Sequence, residues 1–260
     1  LGCSGHQPIR QKPDGTYEVS TKLSLLTHTE SIKEEDLEEA QSFARDQGRQ
    51  LRIINDAVVQ RAKDGPVHLI IFQLYDLQQE RLKTKACVDA FLKNPELNLL
   101  DDKLALGGVR EQTFTMLANR DHPTEREKIA IALYGDLRKI CYDEGEKHAK
   151  KSGVPEAIIQ LDYGVASNGD QLLVALHNGE LTYGDYARMR KSLDDYRAQK
   201  LKDIERELQH NDPGSRQRAV EISRESVAEM EKMVEKRPTM THSEKAFREV
   251  EFDEESSIDP

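Results

Sequence analysis

The chain has no tryptophan, 6 phenylalanines, 8 tyrosines and 3 cysteines among 260 residues, and its apolar residues make up 37% against 33% charged. A mean hydropathy of −0.74 leaves little for a thick sheet-rich core. The apolar residues must instead lie on narrow stripes, as in amphipathic helices. Surplus positive charge is also lacking: the formal net charge is −10 and the pI about 5.4. Nonspecific nucleic-acid binding is thereby disfavoured, because no excess of Lys and Arg is available to displace phosphate counterions. Long hydrophobic runs are missing too. The most apolar stretch, VHLIIFQLY from Val67, is about half of the roughly 20 residues that span a bilayer.

The motifs of common catalytic centres are likewise sparse. The histidines His6, His28, His68, His122, His148, His177, His210 and His242 are scattered, with no two at metal-ligand spacing on one helix face, and no Cys-x-x-Cys pair occurs. No phosphate loop, nucleophile elbow or zinc-protease helix is present. The acidic runs EEDLEE, DIERE and EMEKMVEK read as solvated helix faces. The chain is expected to need no cofactor or metal and to be no enzyme.

What is present has a clear order. After a Pro13-Asp14-Gly15 turn, TYEVSTKLSL reads as a strand; Ser31 and Glu34 have capping-box spacing ahead of a helix stopped by Gly48; RQLRIIND and VHLIIFQLYD read as two further strands. Helical signals follow: one helix from Leu77 to about Lys93 before Asn94-Pro95, another from a Thr124–Glu127 capping box to Ser152 and Gly153, and a third from Pro155 to Gly179. A fourth begins near Thr182, and a last segment follows Asn211-Asp212-Pro213-Gly214. The expected fold class is α+β and mostly α. A small β-α-β-β domain (16–76) follows a tether (1–15) and precedes an elongated up-and-down helical domain (77–237). An acidic tail (238–260) closes the chain. Its last 17 residues hold seven acidic and two basic side chains, and disorder is the expectation for it.

Three features carry functional expectations. Leu1-Gly2-Cys3 matches the end of a bacterial lipoprotein signal, with Cys3 as the acylated residue and Ser4 to Gly15 as a polar, turn-rich tether. Ser4 after the cysteine favours the outer membrane, facing the periplasm; the bland alternative is an ordinary free thiol. Cys87 and Cys141 each lie mid-helix on an inward face. In an oxidising compartment they are expected to form a disulfide, and otherwise to be two unpaired core cysteines. Phe247, Val250 and Phe252, in FREVEF within the acidic tail, are candidate docking anchors for a partner protein.

The stretch LHNGELTYGDYARMRKSLDDY reads as a helix end capped at Gly179 and a new helix opened by Thr182 and Asp185, with Tyr183 and Tyr186 wedged between the two and their hydroxyls near water. It resembles a G-x-x-T-Y-G-x-[FY] turn recurring in uncharacterised proteobacterial envelope proteins, often lipoproteins. LALGGVREQTFTMLANRDHPTEREK is similar to a loop of the same group. The resemblance covers roughly Ala86 to Tyr196 and implies an envelope address, with no catalytic residues to carry over. Together these readings point to an outer-membrane lipoprotein held in lipid through Cys3, a non-enzymatic structural or protein-binding component of an envelope or secretion assembly. The alternatives are an envelope ligand-binding protein or enzyme with a site between the two domains, and a soluble cytosolic helical adaptor.

Overall fold

A computed structural model describes residues 6–24, 28–209 and 214–237. Cys3 and the tail residues Phe247, Val250 and Phe252 lie outside the described residues. Strands β1 (His6–Gln11), β2 (Tyr17–Lys22), β3 (Gln50–Arg61) and β4 (Gly65–Tyr75) form one antiparallel sheet of order β1-β2-β4-β3. Helix α1 (Thr29–Asp46) packs on one face of it. Val19, Ile53, Ile70 and Phe72 meet Ala40 and Ala44 there, Tyr17 stacks on Phe72, and Phe43 meets both rings at an angle.

Two expectations are corrected in this domain. The middle of the tether, His6–Gln11, is strand β1, which supplies a fourth strand and packs Ile9 against the sheet core. Pro8 sits where the β1–β2 register shifts, at the edge of the sheet, the one environment in which a strand accepts a residue without an N–H. The Ser31–Glu34 capping box does not form. The helix starts before Ser31, its N-cap is His28 without a side-chain cap bond, and Ser31 is interior. Glu30 in the first turn instead accepts from Lys33.

The described residues from Leu77 onward are mainly helical: α2 (Leu77–Phe91), α3 (Phe114–Ala118), α4 (Glu125–Lys151), α5 (Glu156–His177), α6 (Tyr183–Gln209) and α7 (Ser215–Glu235). As expected, the chain is α+β and mostly α. The long members are joined by short connections, and α5 packs against α4, α6 and α7. That central place explains its composition: Ile158, Leu161, Leu172 and Leu176 are fully buried on one face, Ile159, Ala166 and Leu173 are buried on a second, and Ala157, Gly164 and Ala175 on a third. In the bundle, the caps read at Thr124–Glu127, Gly153 and Gly179 are built as written. Thr124 and Glu127 form a reciprocal capping box on α4. Gly153 and Gly179 take positive φ, and the amides of Gly179 and Glu180 return to the carbonyls of Leu176 and Ala175, a Schellman ending. The segment between α2 and α4 is no solvated loop. Two 3-10 turns (Pro95–Leu100 and Val109–Glu111) and α3 carry it across the bundle, and Leu97, Leu100, Leu104 and Leu106 enter the core.

Candidate functional site

The helical domain is organised by the seam between α2 and α4. Phe91 meets the edge of Tyr134, Cys87 is joined to Cys141, Thr84 lies against Gly145, and Glu80 accepts from the Ser152 hydroxyl at 2.8 Å. The four contacts step down two antiparallel helices at helical spacing. The disulfide forms because positions 87 and 141 fall opposite each other, with Cα atoms 5.7 Å apart. Cys141 is buried and Cys87 half-buried. A side chain at position 145 would collide with Thr84 Oγ1, so glycine there permits the close approach.

The stretches LALGGVREQTFTMLANRDHPTEREK and LHNGELTYGDYARMRKSLDDY meet in space. The amides of Tyr183 and Gly184, at the start of α6, donate to Asp121 O and Asn119 O at 3.0 and 2.8 Å, and Arg188 donates to Leu117 O. Thr182 caps the helix by accepting from the Asp185 amide at 3.1 Å. A Cβ on Gly184 would stand 2.4 Å from Asn119 O, so this turn requires glycine. Tyr183 and Tyr186 correct one expectation: both are wholly buried, hydroxyls included, rather than reaching water. Lys103 lies 5.4 Å from the Tyr183 ring and donates to Glu127 at 2.6 Å, and Glu127 is the capping carboxylate of α4. Burial, followed by the nearby Glu127 carboxylate, pushes the Tyr183 hydroxyl far above its usual range.

A third group was not legible as a constellation in the sequence. His68 on β4 is fully buried, with Nδ1 donating to Asp36 Oδ2 at 2.6 Å and Nε2 donating to Asp56 Oδ1 at 2.7 Å. Thr21 donates to Asp36 Oδ1 at 2.5 Å. Strand pairing places these groups: Thr21 is the direct partner of His68, and Asp56 is the partner of Ile70, diagonal to His68 on the same face. Asp56 reaches that face because of the register shift between Ile53 and Asn55, since the extra residue reverses the inward–outward alternation of the strand. Asp36 comes down from α1. With a carboxylate on each ring nitrogen, the imidazole must carry both protons. Burial opposes the charged ring, but the hydrogen bonds and charges of Asp36 and Asp56 outweigh it and hold the His68 pKa above the usual value. The cluster has the elements of an acid–base relay, yet the ring is sealed from solvent and both nitrogens are occupied. It clamps helix to sheet.

Asp56 faces two ways, and its second side is the junction between sheet and bundle. There β3 meets the first turns of α5 and α7 and the end of α6 around a cavity of about 180 Å³. Leu51, Arg52, Asp56, Glu156, Ser215 and Arg216 are among its lining residues. Arg52 of β3 donates to Gly153 O at 3.4 Å, across the junction, and Arg216 of α7 donates back to Ile54 O at 3.3 Å. Burial first, then the charge of Arg52, lowers the Arg216 pKa, while Asp56 opposes the fall. A larger open groove of about 510 Å³ runs between α2 and the α4–α5–α6 face, where Arg197 pairs with Asp162 at 2.6 Å and Arg81 is held under Asp162 at 3.9 Å. Among the described residues no group of three or more His, Cys, Asp or Glu side chains is placed to hold a metal ion, and no helix is long and apolar enough to cross a membrane.

These elements define an α+β protein in which a small four-stranded sheet with one helix abuts a disulfide-linked helical bundle. No family model matches the chain, and no curated protein or solved structure matches it either.

Proposed function

We propose that the chain is an exported bacterial envelope protein, anchored in the outer membrane through acylation of Cys3, that acts by binding other components of an envelope or secretion assembly rather than by catalysis. The observation that carries this reading is the Cys87–Cys141 bridge, because a disulfide between packed helices belongs to an oxidising compartment. The long helices add a surface suited to protein contacts. They are lined with ion pairs at i,i+3 and i,i+4, such as Lys85–Asp89, Lys139–Asp143 and Lys191–Asp195. The acidic tail with Phe247, Val250 and Phe252 provides a further docking element.

Mass spectrometry of the protein expressed from its full gene tests the address. The expected product begins at Cys3, carries diacylglyceryl and N-acyl groups, and keeps Cys87 and Cys141 joined until reductant is added. A chain that continues upstream of an unmodified Cys3 overturns the anchor. Native-membrane co-purification with and without residues 244–260 tests the docking peptide, which fails if every partner is retained after the deletion.

A further inference from the structure

We propose that the cavity between the sheet and the bundle is a phosphate-binding site whose ligand is held by Arg52 from one domain and Arg216 from the other. The site goes beyond the envelope reading and does not depend on it, since it rests on geometry that is the same whether or not Cys3 is acylated.

Two arginines, both exposed, line one cavity, Arg52 on β3 and Arg216 on α7, and each donates to one backbone carbonyl across the junction. A guanidinium has five N–H donors, so four on each arginine remain for other acceptors. Neither arginine forms an ion pair with a carboxylate among the described residues, unlike Arg61, Arg138, Arg197 and Arg218. The two carboxylates that share the lining are turned to other donors. Asp56 accepts from His68 Nε2, and Glu156 accepts from Gln160 at 3.2 Å. The two guanidinium groups thus share the cavity with Asp56 and Glu156, whose carboxylates are engaged by other donors, and keep N–H groups that an anion can take.

The geometry also selects among anions. A carboxylate has two oxygens in one plane, which suit one guanidinium fork, whereas a phosphate has tetrahedrally arranged oxygens that accept two forks from different directions. The cavity, at about 180 Å³, is below the usual range for drug-sized ligands. It therefore suits inorganic phosphate or the phosphate of a small monoester, with any organic part left in solvent. Because the two arginines belong to different domains, bound phosphate would bridge sheet and bundle.

Titration of the full chain at low ionic strength, followed by calorimetry and by NMR of the arginine Nε–H signals, tests the proposal with inorganic phosphate, glycerol 1-phosphate and acetate as probes. Phosphate or its monoester is expected to bind, to shift the Arg52 and Arg216 signals first, and to bind about tenfold or more tightly than acetate. Tighter binding of the monoester identifies an esterified ligand, and tighter binding of the free ion identifies inorganic phosphate; both support the site. Arg52→Ala and Arg216→Ala should each weaken binding about tenfold or more. Arg52→Lys and Arg216→Lys, which keep the charge and lose the fork, should weaken it less. The lysine variants also serve if an alanine variant fails to fold. No phosphate binding at millimolar concentration, shifts confined to residues elsewhere, or affinity unchanged in the folded variants would overturn the proposal.

Discussion

At the scale of single residues, His68 is the group whose chemistry most depends on the fold. Its charge is held by Asp36 from α1 and Asp56 from β3, with Thr21 from β2 supporting Asp36 and Lys33 of α1 near Asp56. Because the folded pKa is raised above the unfolded value of about 6.5, the folded chain binds the more protons in the range above it. The stabilisation is therefore complete below about pH 6.5 and is lost as pH rises through the folded value. Urea unfolding across neutral to alkaline pH should show stability of the sheet domain falling with pH. Asp56→Asn, which removes one of the two charges, should flatten that slope, and an unchanged slope would remove His68 as its cause. His68→Gln leaves Asp36 buried without its cation and should cost about 3–5 kcal/mol. In the sequence, the available signal was one polar residue inside the apolar run VHLIIF, at an inward position of a strand. Its partner Asp36 was hidden in EEDLEE, where five of six residues are acidic and most face solvent. The bulge that turns Asp56 inward has no sequence mark at all.

Among elements, the legible parts were those whose local chemistry is self-contained. A capping box needs residues three apart, and a Schellman ending needs a glycine. Thus the start of α4, the start of α6 and the stops at Gly153 and Gly179 could be read directly. The same spacing misled at Ser31 and Glu34, because α1 begins earlier and places both inside the helix. Elements fixed by distant partners were not legible. Strand β1 is polar and contains a proline, and it is a strand because β2 offers an edge. The segment from Pro95 to Ala118 has no helical period, yet its leucines fill the bundle. One glycine marks where two such elements touch. Gly184 opens α6 against the carbonyls of Asn119 and Leu117, which are backbone atoms and cannot rotate away. Gly184→Ala, normally a favourable change within a helix, is expected to destabilise the chain by about 1–3 kcal/mol through overpacking. Thermal unfolding of the variant checks this, and an unchanged or raised transition would show that the contact yields.

At the scale of the whole molecule, two apolar clusters share no member. One gathers Val19, Ile70, Phe72 and Ala40 under α1, and the other runs from Tyr75 and Leu77 through the bundle to Val234. The link between them is narrow: Tyr75 at the end of β4 is buried in the bundle cluster, and the reciprocal Arg52 and Arg216 hydrogen bonds and a 3.3 Å bond from the Leu77 amide to Gln50 cross the junction. Cores joined this weakly unfold as separate cooperative units, so calorimetry should resolve two transitions. Each has its own lever. Cys87 and Cys141 are 54 residues apart within the bundle, and closing a loop of that length stabilises by about 4 kcal/mol in the chain-entropy model. Reductant should therefore lower the larger, bundle transition by on the order of 10 °C and leave the smaller one in place. Raising the pH above neutrality should do the reverse, because the His68 cluster lies wholly within the sheet domain. Phosphate, if it bridges Arg52 and Arg216, should draw the two transitions together, since a ligand bound to both folded units couples their unfolding. A single transition that moves under both reductant and pH would show that the thin junction transmits more than its hydrogen bonds account for, and that sheet and bundle are one unit.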